Sequence, residues 1–329
     1  MDSLLAFSLE TTLWLQDNYP QLAGFFVFIS TLGNEEFYLA VLPLIYWCIS
    51  KKAGRILGYI FFIAVLFNTI LKHTFRGPRP FWIDESVGIV ETGGYGIPSG
   101  HVQYATVIYL FLAAWINRGW VWILAFLMII LMGLSRIYVG AHFIYDVIAG
   151  FIAGLAILII YYFWNRYQAP KFTKRILGQK LMMVFLIPVI FGLVYIGVLF
   201  IIGPPDLSLP WAAFIPEAEI ASVTEMATAF GAALGYGLGI IFEGSRVRFH
   251  SDGPISKRIG RYILGIIGAV IIWQGLGFIF PRDPLWLALP LRIFRYFLLT
   301  FWAAYYAPLI FVRLKLADAD PDPGINLKM

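Results

Sequence analysis

Apolar residues run in long blocks, separated by short stretches that carry charge, glycine or proline. The blocks cover residues 37–50, 56–71, 102–116, 120–134, 143–164, 181–202, 220–242, 263–280 and 296–312. A hydrocarbon core of about 30 Å takes about 20 apolar residues in a helix. The blocks therefore predict nine transmembrane helices, the shorter ones completed by flanking residues. None shows the alternating pattern of a membrane barrel strand. The fold class expected is all-α, a polytopic membrane helical bundle. Residues 4–32 precede the first block and mix Phe, Leu and Trp with Glu10, Asp17 and Pro20. That mixture predicts an interfacial helix rather than a span, and without a basic start it does not read as a cleavable signal peptide.

Composition agrees. The chain has 329 residues, 60% of them hydrophobic, 18% aromatic and only 13% charged, against roughly 25% charged in a soluble domain. The mean hydropathy is +0.80. A soluble protein of this size could not bury that much apolar surface, and disorder, collagen and coiled coils are excluded as well. A single cysteine, Cys48, excludes an internal disulfide framework and a Cys-based metal site. The net charge of +5 would suggest an acidic partner for a soluble protein. In a membrane protein the placement of Lys and Arg matters more than the total, and no nucleic-acid partner is read from it.

That placement sets an orientation. No Lys or Arg occurs in residues 1–50. With nine spans and an outside N-terminus, the inside segments collect Lys51, Lys52 and Arg55, then Arg118, then the run Arg166 to Lys180, then Arg246 to Arg261, and finally Arg313, Lys315 and Lys328. The loop 203–219 has no basic residue and three acids, Asp206, Glu217 and Glu219. The N-terminus is expected outside and the C-terminus in the cytoplasm of a multi-pass cell-membrane protein. The organisation expected is an N-terminal interfacial segment (1–36), a five-span core (37–165), a basic cytoplasmic linker (166–180), a four-span extension (181–313) and an unstructured cytoplasmic tail (314–329). Anionic lipid headgroups suffice as the partner of the basic stretch 246–261.

Of the 24 Lys and Arg residues, Lys72, Arg76, Arg79, Arg136, Arg282, Arg292 and Arg295 fall on the other side. Snorkelling explains one such cation at a helix end. Four of them near three polar elements suggest an anion site. The first element is Lys72-His-Thr-Phe-Arg-Gly-Pro-Arg79-Pro80. Lys72 belongs to the last turn of a helix, Gly77 and Pro78 turn the chain, and Pro80 keeps Arg79 extended. A lysine point charge and an arginine fork can then converge on one phosphate. The second element is Pro98-Ser99-Gly100-His101. Ser99 is a good N-cap, the free N–H groups of the next turn face an anion, Gly100 admits close approach, and His101 is placed to donate a proton. The third element is Ser135-Arg136, Gly140, His142 and Asp146. His142 and Asp146 share a face if helical, so the carboxylate can hold one imidazole nitrogen and leave the other as an oriented nucleophile or base.

Lys72-x6-Arg79-Pro80, Pro98-Ser99-Gly100-His101 and Ser135-Arg136-x5-His142-x3-Asp146 resemble, in order and at every signature position, the three motifs of the type 2 phosphatidic acid phosphatase superfamily. The resemblance covers about residues 21–165. It implies that His142 is the nucleophile that forms a phosphohistidine, that His101 protonates the leaving group and that Asp146 orients His142. It also implies that Lys72, Arg79, Ser99, Gly100 and Arg136 bind the phosphoryl oxygens, with no metal and no other cofactor. The four added spans give a layout similar to glucose-6-phosphatase. The expected function is an integral membrane phosphatase acting on a phosphomonoester or diphosphate at the extracytoplasmic face. The substrate expected is a lipid such as phosphatidic acid, phosphatidylglycerol phosphate or a polyprenyl diphosphate. A phosphatase for a soluble sugar phosphate is the second reading. A non-hydrolytic lipid transporter or scramblase is a third, weakened by the intact His142, His101 and Asp146. A vanadium haloperoxidase is the least fitting.

Two other features stand out. Glu225, inside the seventh block, reads as hydrated at the interface, about one and a half turns from its outer edge. Gly231, Gly235 and Gly239, at spacings of four, read as a close helix-packing face.

Overall fold

The computed structural model describes residues 3–320, and these are helical apart from turns, loops and one isolated antiparallel bridge between Phe249 and Ala319. In chain order the helices are α1 (Ser3–Asn18), α2 (Ala23–Thr31), α3 (Glu35–Leu44), α4 (Lys51–Phe75), α5 (Pro80–Ile83), α6 (Gly100–Ile116), α7 (Gly119–Tyr138) and α8 (Ile144–Tyr167). They continue with α9 (Ala169–Thr173), α10 (Leu177–Ile202), α11 (Ile215–Phe242), α12 (Ile255–Val270), α13 (Leu276–Ile279), α14 (Leu285–Phe301) and α15 (Ala307–Arg313). Wide helical turns continue α12 into α13 and α14 into α15.

The chain is an all-α polytopic bundle. Among the described residues seven helical stretches are long and apolar enough to cross a membrane, or eight if the bent pair Pro20–Thr31 and Glu35–Ile49 counts as one span. The nine expected blocks all coincide with helices, but two differ in kind. α6 has 17 residues, which rise about 25 Å and fall short of a core of about 30 Å. Its start is fixed at Ser99, which is extended, and its end at Asn117, which is left-handed. The first expected block is α3 and the wide turn after it, which reach span length only together with α2.

Two compact units divide the chain. The first comprises Met1–Tyr38, Ile60–Ala169 and Ile190–Met226. Its centre is α6, with Val102 and Ala105 set against Val121, Ala125, Ile129 and Met132 of α7. α8 approaches α6 at backbone distance. A Cβ added at Gly150 would lie 2.5 Å from the Ser99 carbonyl, and one at Gly154 would lie 2.9 Å from that of Gln103. This small-residue contact brings the start of α8 to the start of α6, where the Ser99 N–H donates to the Asp146 carbonyl at 2.9 Å. α4 is tied to α6 by Asn68, whose amide donates to Gln103 at 2.8 Å, and by Gln103, which donates to the Ala64 carbonyl at 2.9 Å. Helix α1 is pinned to the end of α7 and to Val87. Gln16 donates to the carbonyls of Val87 (2.9 Å) and Tyr138 (2.7 Å), and Thr12 to that of Ile137 (3.2 Å). Gly140 makes that turn possible: its φ is +69°, and a Cβ there would lie 2.1 Å from the Val87 carbonyl oxygen.

The second unit comprises Leu39–Tyr59, Pro170–Val189 and Ala227–Met329, described as far as residue 320. The glycine face of α11 packs as its spacing predicts. A Cβ at Gly231 would meet the Ile293 carbonyl, one at Gly235 the Phe297 carbonyl and one at Gly239 the Ala304 side chain. Tyr46, Trp47, Val247, Phe249, Ala307 and Phe311 form an apolar core. A fully buried carboxylate, Glu243, is paired with Lys51 at 2.7 Å and accepts from the Phe249 N–H at 3.0 Å. The start of the expected unstructured tail is ordered, because Asp318 and Asp320 exchange backbone hydrogen bonds with His250 and Arg248. Its remaining residues, 321–329, lie outside the described residues.

Candidate active site

All three polar elements lie in the first unit. α4 ends one turn after Lys72. Arg76 then adopts a left-handed φ of 47° and reverses the chain. Arg79 is extended (φ −111°, ψ 158°), as a residue before proline must be, and α5 starts on Pro80. The extended backbone throws the Arg79 side chain back across the turn into the protein, where it is buried.

His142 sits in the short loop between α7 and α8 rather than on a helix. Asp146 is in the first turn of α8. Its Oδ2 accepts from the Phe143 N–H at 2.9 Å and lies 3.3 Å from His142 Nδ1. The pair therefore meets across a helix N-terminus, not along a helix face. A carboxylate on Nδ1 keeps the proton there and leaves the Nε2 lone pair free. That lone pair faces Arg79, whose Nη1 is 3.3 Å away. Burial, and after it the charges of Arg79, Arg136, Lys72 and His101, hold the His142 imidazole well below the ordinary histidine range. The ring is thus uncharged in a field of cations.

The cations divide the work differently from the sequence reading. Arg79 donates from Nε to the Gly94 carbonyl (2.7 Å), from Nη2 to those of Gly93 (2.6 Å) and Tyr95 (3.0 Å), and from Nη1 to that of Ala141 (2.9 Å). Counting the contact with His142, all five of its N–H groups are engaged. Arg79 ties together the loops around His142 and supplies charge. It has no fork left for a phosphate unless His142 yields its hydrogen bond. Arg136 is the reverse case. It is 2% exposed and donates one Nη1 hydrogen bond to the Ser30 hydroxyl, while its Nε and Nη2 have no partner among the described residues. A buried guanidinium with unused donors is costly and is what an anion site holds ready. Ser99 adds to this. It is the N-cap of α6 but makes no capping bond, and its buried Oγ has no partner either. Gly100 opens that helix and His101 follows in its first turn, with Nε2 3.2 Å from Asn34 Oδ1.

Three partners escaped the sequence reading: Ser30, Asn34 and Glu225. Glu225 is not simply hydrated at an interface, for both its oxygens lie 3.2 Å from Lys72 Nζ. The signal available was a carboxylate inside an apolar block, which by itself asks for a partner. Nothing in the spacing of Ser30 or Asn34 points to Arg136 or His101, more than 60 residues away.

Comparison with known proteins follows the same residues. The family model described as the PAP2 superfamily matches residues 53–170, and the one described as the PAP2 superfamily phosphatase transmembrane extension matches 227–319. Undecaprenyl-diphosphatase of Sulfolobus acidocaldarius is 32% identical over 145 residues, which are 42% of this chain and 69% of that protein. The chain belongs to the PAP2 superfamily. This PAP2 protein is also 34% identical over 144 residues to sphingosine-1-phosphate phosphatase 1 of Rattus norvegicus, covering 42% of this chain and 34% of that one. It is 28% identical over 188 residues to glucose-6-phosphatase catalytic subunit 1 of Mus musculus, covering 48% and 52%. The chain thus matches about a third of the length of the first of these two and about half of the second.

Proposed function

We propose that this PAP2 protein is an integral membrane phosphatase. It would hydrolyse the phosphomonoester or diphosphate of a lipid at the extracytoplasmic face, through a phosphohistidine. The observation that carries this reading is a neutral, carboxylate-held His142 within electrostatic reach of a buried Arg136 that has unused N–H donors. Arg136, the Ser99 hydroxyl, the N–H of Gly100 and the charges of Lys72 and Arg79 bind the phosphoryl oxygens. His142 Nε2 forms the P–N bond as the P–O bond to the leaving group breaks, and His101 gives that oxygen its proton. Water then attacks phosphorus, the P–N bond breaks, His101 takes the water proton and phosphate leaves. Asp146 stabilises the charged imidazole ring while Nε2 is phosphorylated. A lipid substrate is supported by the names of two of the relatives above.

The test is phosphate release by the purified protein from lipid phosphates and from glucose 6-phosphate. Lipid phosphates should turn over faster. Because side-chain cations suffice to hold the phosphate, activity should persist in EDTA, and vanadate should inhibit as a mimic of the five-coordinate transition state. Loss of activity on chelation, restored by one divalent ion, would contradict the cation-only site.

Orientation has its own test. The Lys and Arg distribution supports a site open to the periplasm, exterior or lumen. In a Cys48→Ser background, Leu207→Cys should react with a membrane-impermeant thiol reagent in intact cells, and Asp252→Cys should not. The opposite labelling would place the site on the cytoplasmic face.

A further inference from the structure

Glu225 lies on α11, far in sequence from the three motifs, yet it closes on Lys72. Within the pair, Lys72 is almost buried, its side chain 9% exposed, while the carboxylate is 39% exposed. One face of Glu225 is therefore spent on Lys72 and the other is open. α11 lays Ala221, Ser222 and Glu225 over the Gly93–Gly94 turn. A Cβ at Gly94 would lie 3.6 Å from Glu225 Oε1 and 3.9 Å from Ala221. That turn is the one whose carbonyls receive Arg79. The Glu225 charge is also within electrostatic reach of Arg79 itself and of Tyr104, one turn into α6. A carboxylate inside an apolar segment is expensive to keep, and this one offsets a cation that the phosphate site would use.

We propose that Glu225 is a specificity-determining residue that restricts the site to phosphomonoesters and opposes diphosphates. This rests on the phosphatase reading above and narrows its substrate class. Lys72, Arg79 and Arg136 bring three positive charges, and Glu225 cancels one of them before any ligand arrives. The phosphate of a monoester uses what remains. A second phosphate would bring at least one more negative charge toward the open face of Glu225, and the neighbouring cation Arg76 is already paired with Glu219 at 3.1 Å. Like charges several ångströms apart in a partly desolvated site repel enough to shift affinity by about tenfold or more. A role confined to propping up Lys72 would change both substrates alike.

Farnesyl phosphate and farnesyl diphosphate share one chain and differ by one phosphate. The wild-type protein should have the higher kcat/KM for the monophosphate. Glu225→Gln should raise the diphosphate-to-monophosphate ratio by about tenfold or more, mainly through KM, and Glu225→Asp should stay near the wild-type ratio. An unchanged ratio in Glu225→Gln, or a wild-type preference for the diphosphate, overturns the inference while leaving the phosphatase reading intact. If the wild type cleaves neither compound nor any other lipid phosphate, it is that reading which fails. A measurement that needs no variant guards against misfolding: inorganic phosphate should inhibit the wild type more tightly than pyrophosphate, and the reverse order overturns the inference.

Discussion

His142→Ala is expected to lower phosphate release by at least about 10³-fold, the scale on which removing a nucleophile acts, while the protein keeps its detergent-solubilised elution profile. The expectation follows from geometry. Nδ1 is held by the Asp146 carboxylate at 3.3 Å, and the opposite nitrogen faces the cations through Arg79. Burial and four neighbouring positive or titratable side chains keep the ring uncharged, so its lone pair is available at neutral pH. The wild type quenched during turnover should carry an acid-labile phosphoryl group, and the same variant should fail to form it. Asp146→Ala should cost less, because the nucleophile stays and only its orientation and electrostatic support are lost. Ordinary turnover by His142→Ala would remove His142 from the mechanism. His101→Ala should retain more activity on substrates with good leaving groups, since help from a general acid matters least there.

The three motifs were legible because each is a local constraint. A proline after Arg79 fixes its backbone, a proline and a serine fix the start of α6, and a glycine at 140 permits the return between α7 and α8. Local constraints survive in a linear pattern of residue types. The helices were legible for the same reason, since a bilayer imposes a length on every apolar block. What the pattern does not carry is the partner of each motif side chain. Arg79 and Arg136 look interchangeable in the sequence. One is spent on the carbonyls of Gly93, Gly94, Tyr95 and Ala141, and the other is left with open donors. That difference comes from which loops fold over which guanidinium. The pairing of Lys72 with Glu225 was hidden likewise, because helix periodicity says that Glu225 is inside an apolar segment but not what it faces. The length of α6 was misjudged because apolar flanking residues were assumed to extend the helix, whereas Ser99 and Asn117 end it.

The contrast between the two arginines yields the second large effect. Arg136→Met should lower kcat/KM by about 10²–10³-fold, as removal of a preorganised donor to transition-state charge does elsewhere, and should leave thermal stability unchanged or raised. Arg136 has no ion pair among the described residues, and two of its nitrogens are buried without partners. A desolvated charge in that state costs folding free energy, so an apolar side chain of similar length relieves the cost while deleting the phosphate contact. Arg79→Met should behave in the opposite way on stability. It strands four carbonyl acceptors, three of them in buried hydrogen bonds and each of those three worth about 1–3 kcal/mol when left unsatisfied, and should lower the melting temperature in detergent along with activity. Arg136→Lys retains a charge but has no bidentate fork, and should recover only part of the loss. Thermal unfolding and phosphate release measured on the same preparations decide the matter. If Arg136→Met destabilises the protein as much as Arg79→Met, its open donors are met by structure rather than reserved for a ligand. If it destabilises little and activity stays near wild type, Arg136 is not the group that binds the phosphoryl oxygens.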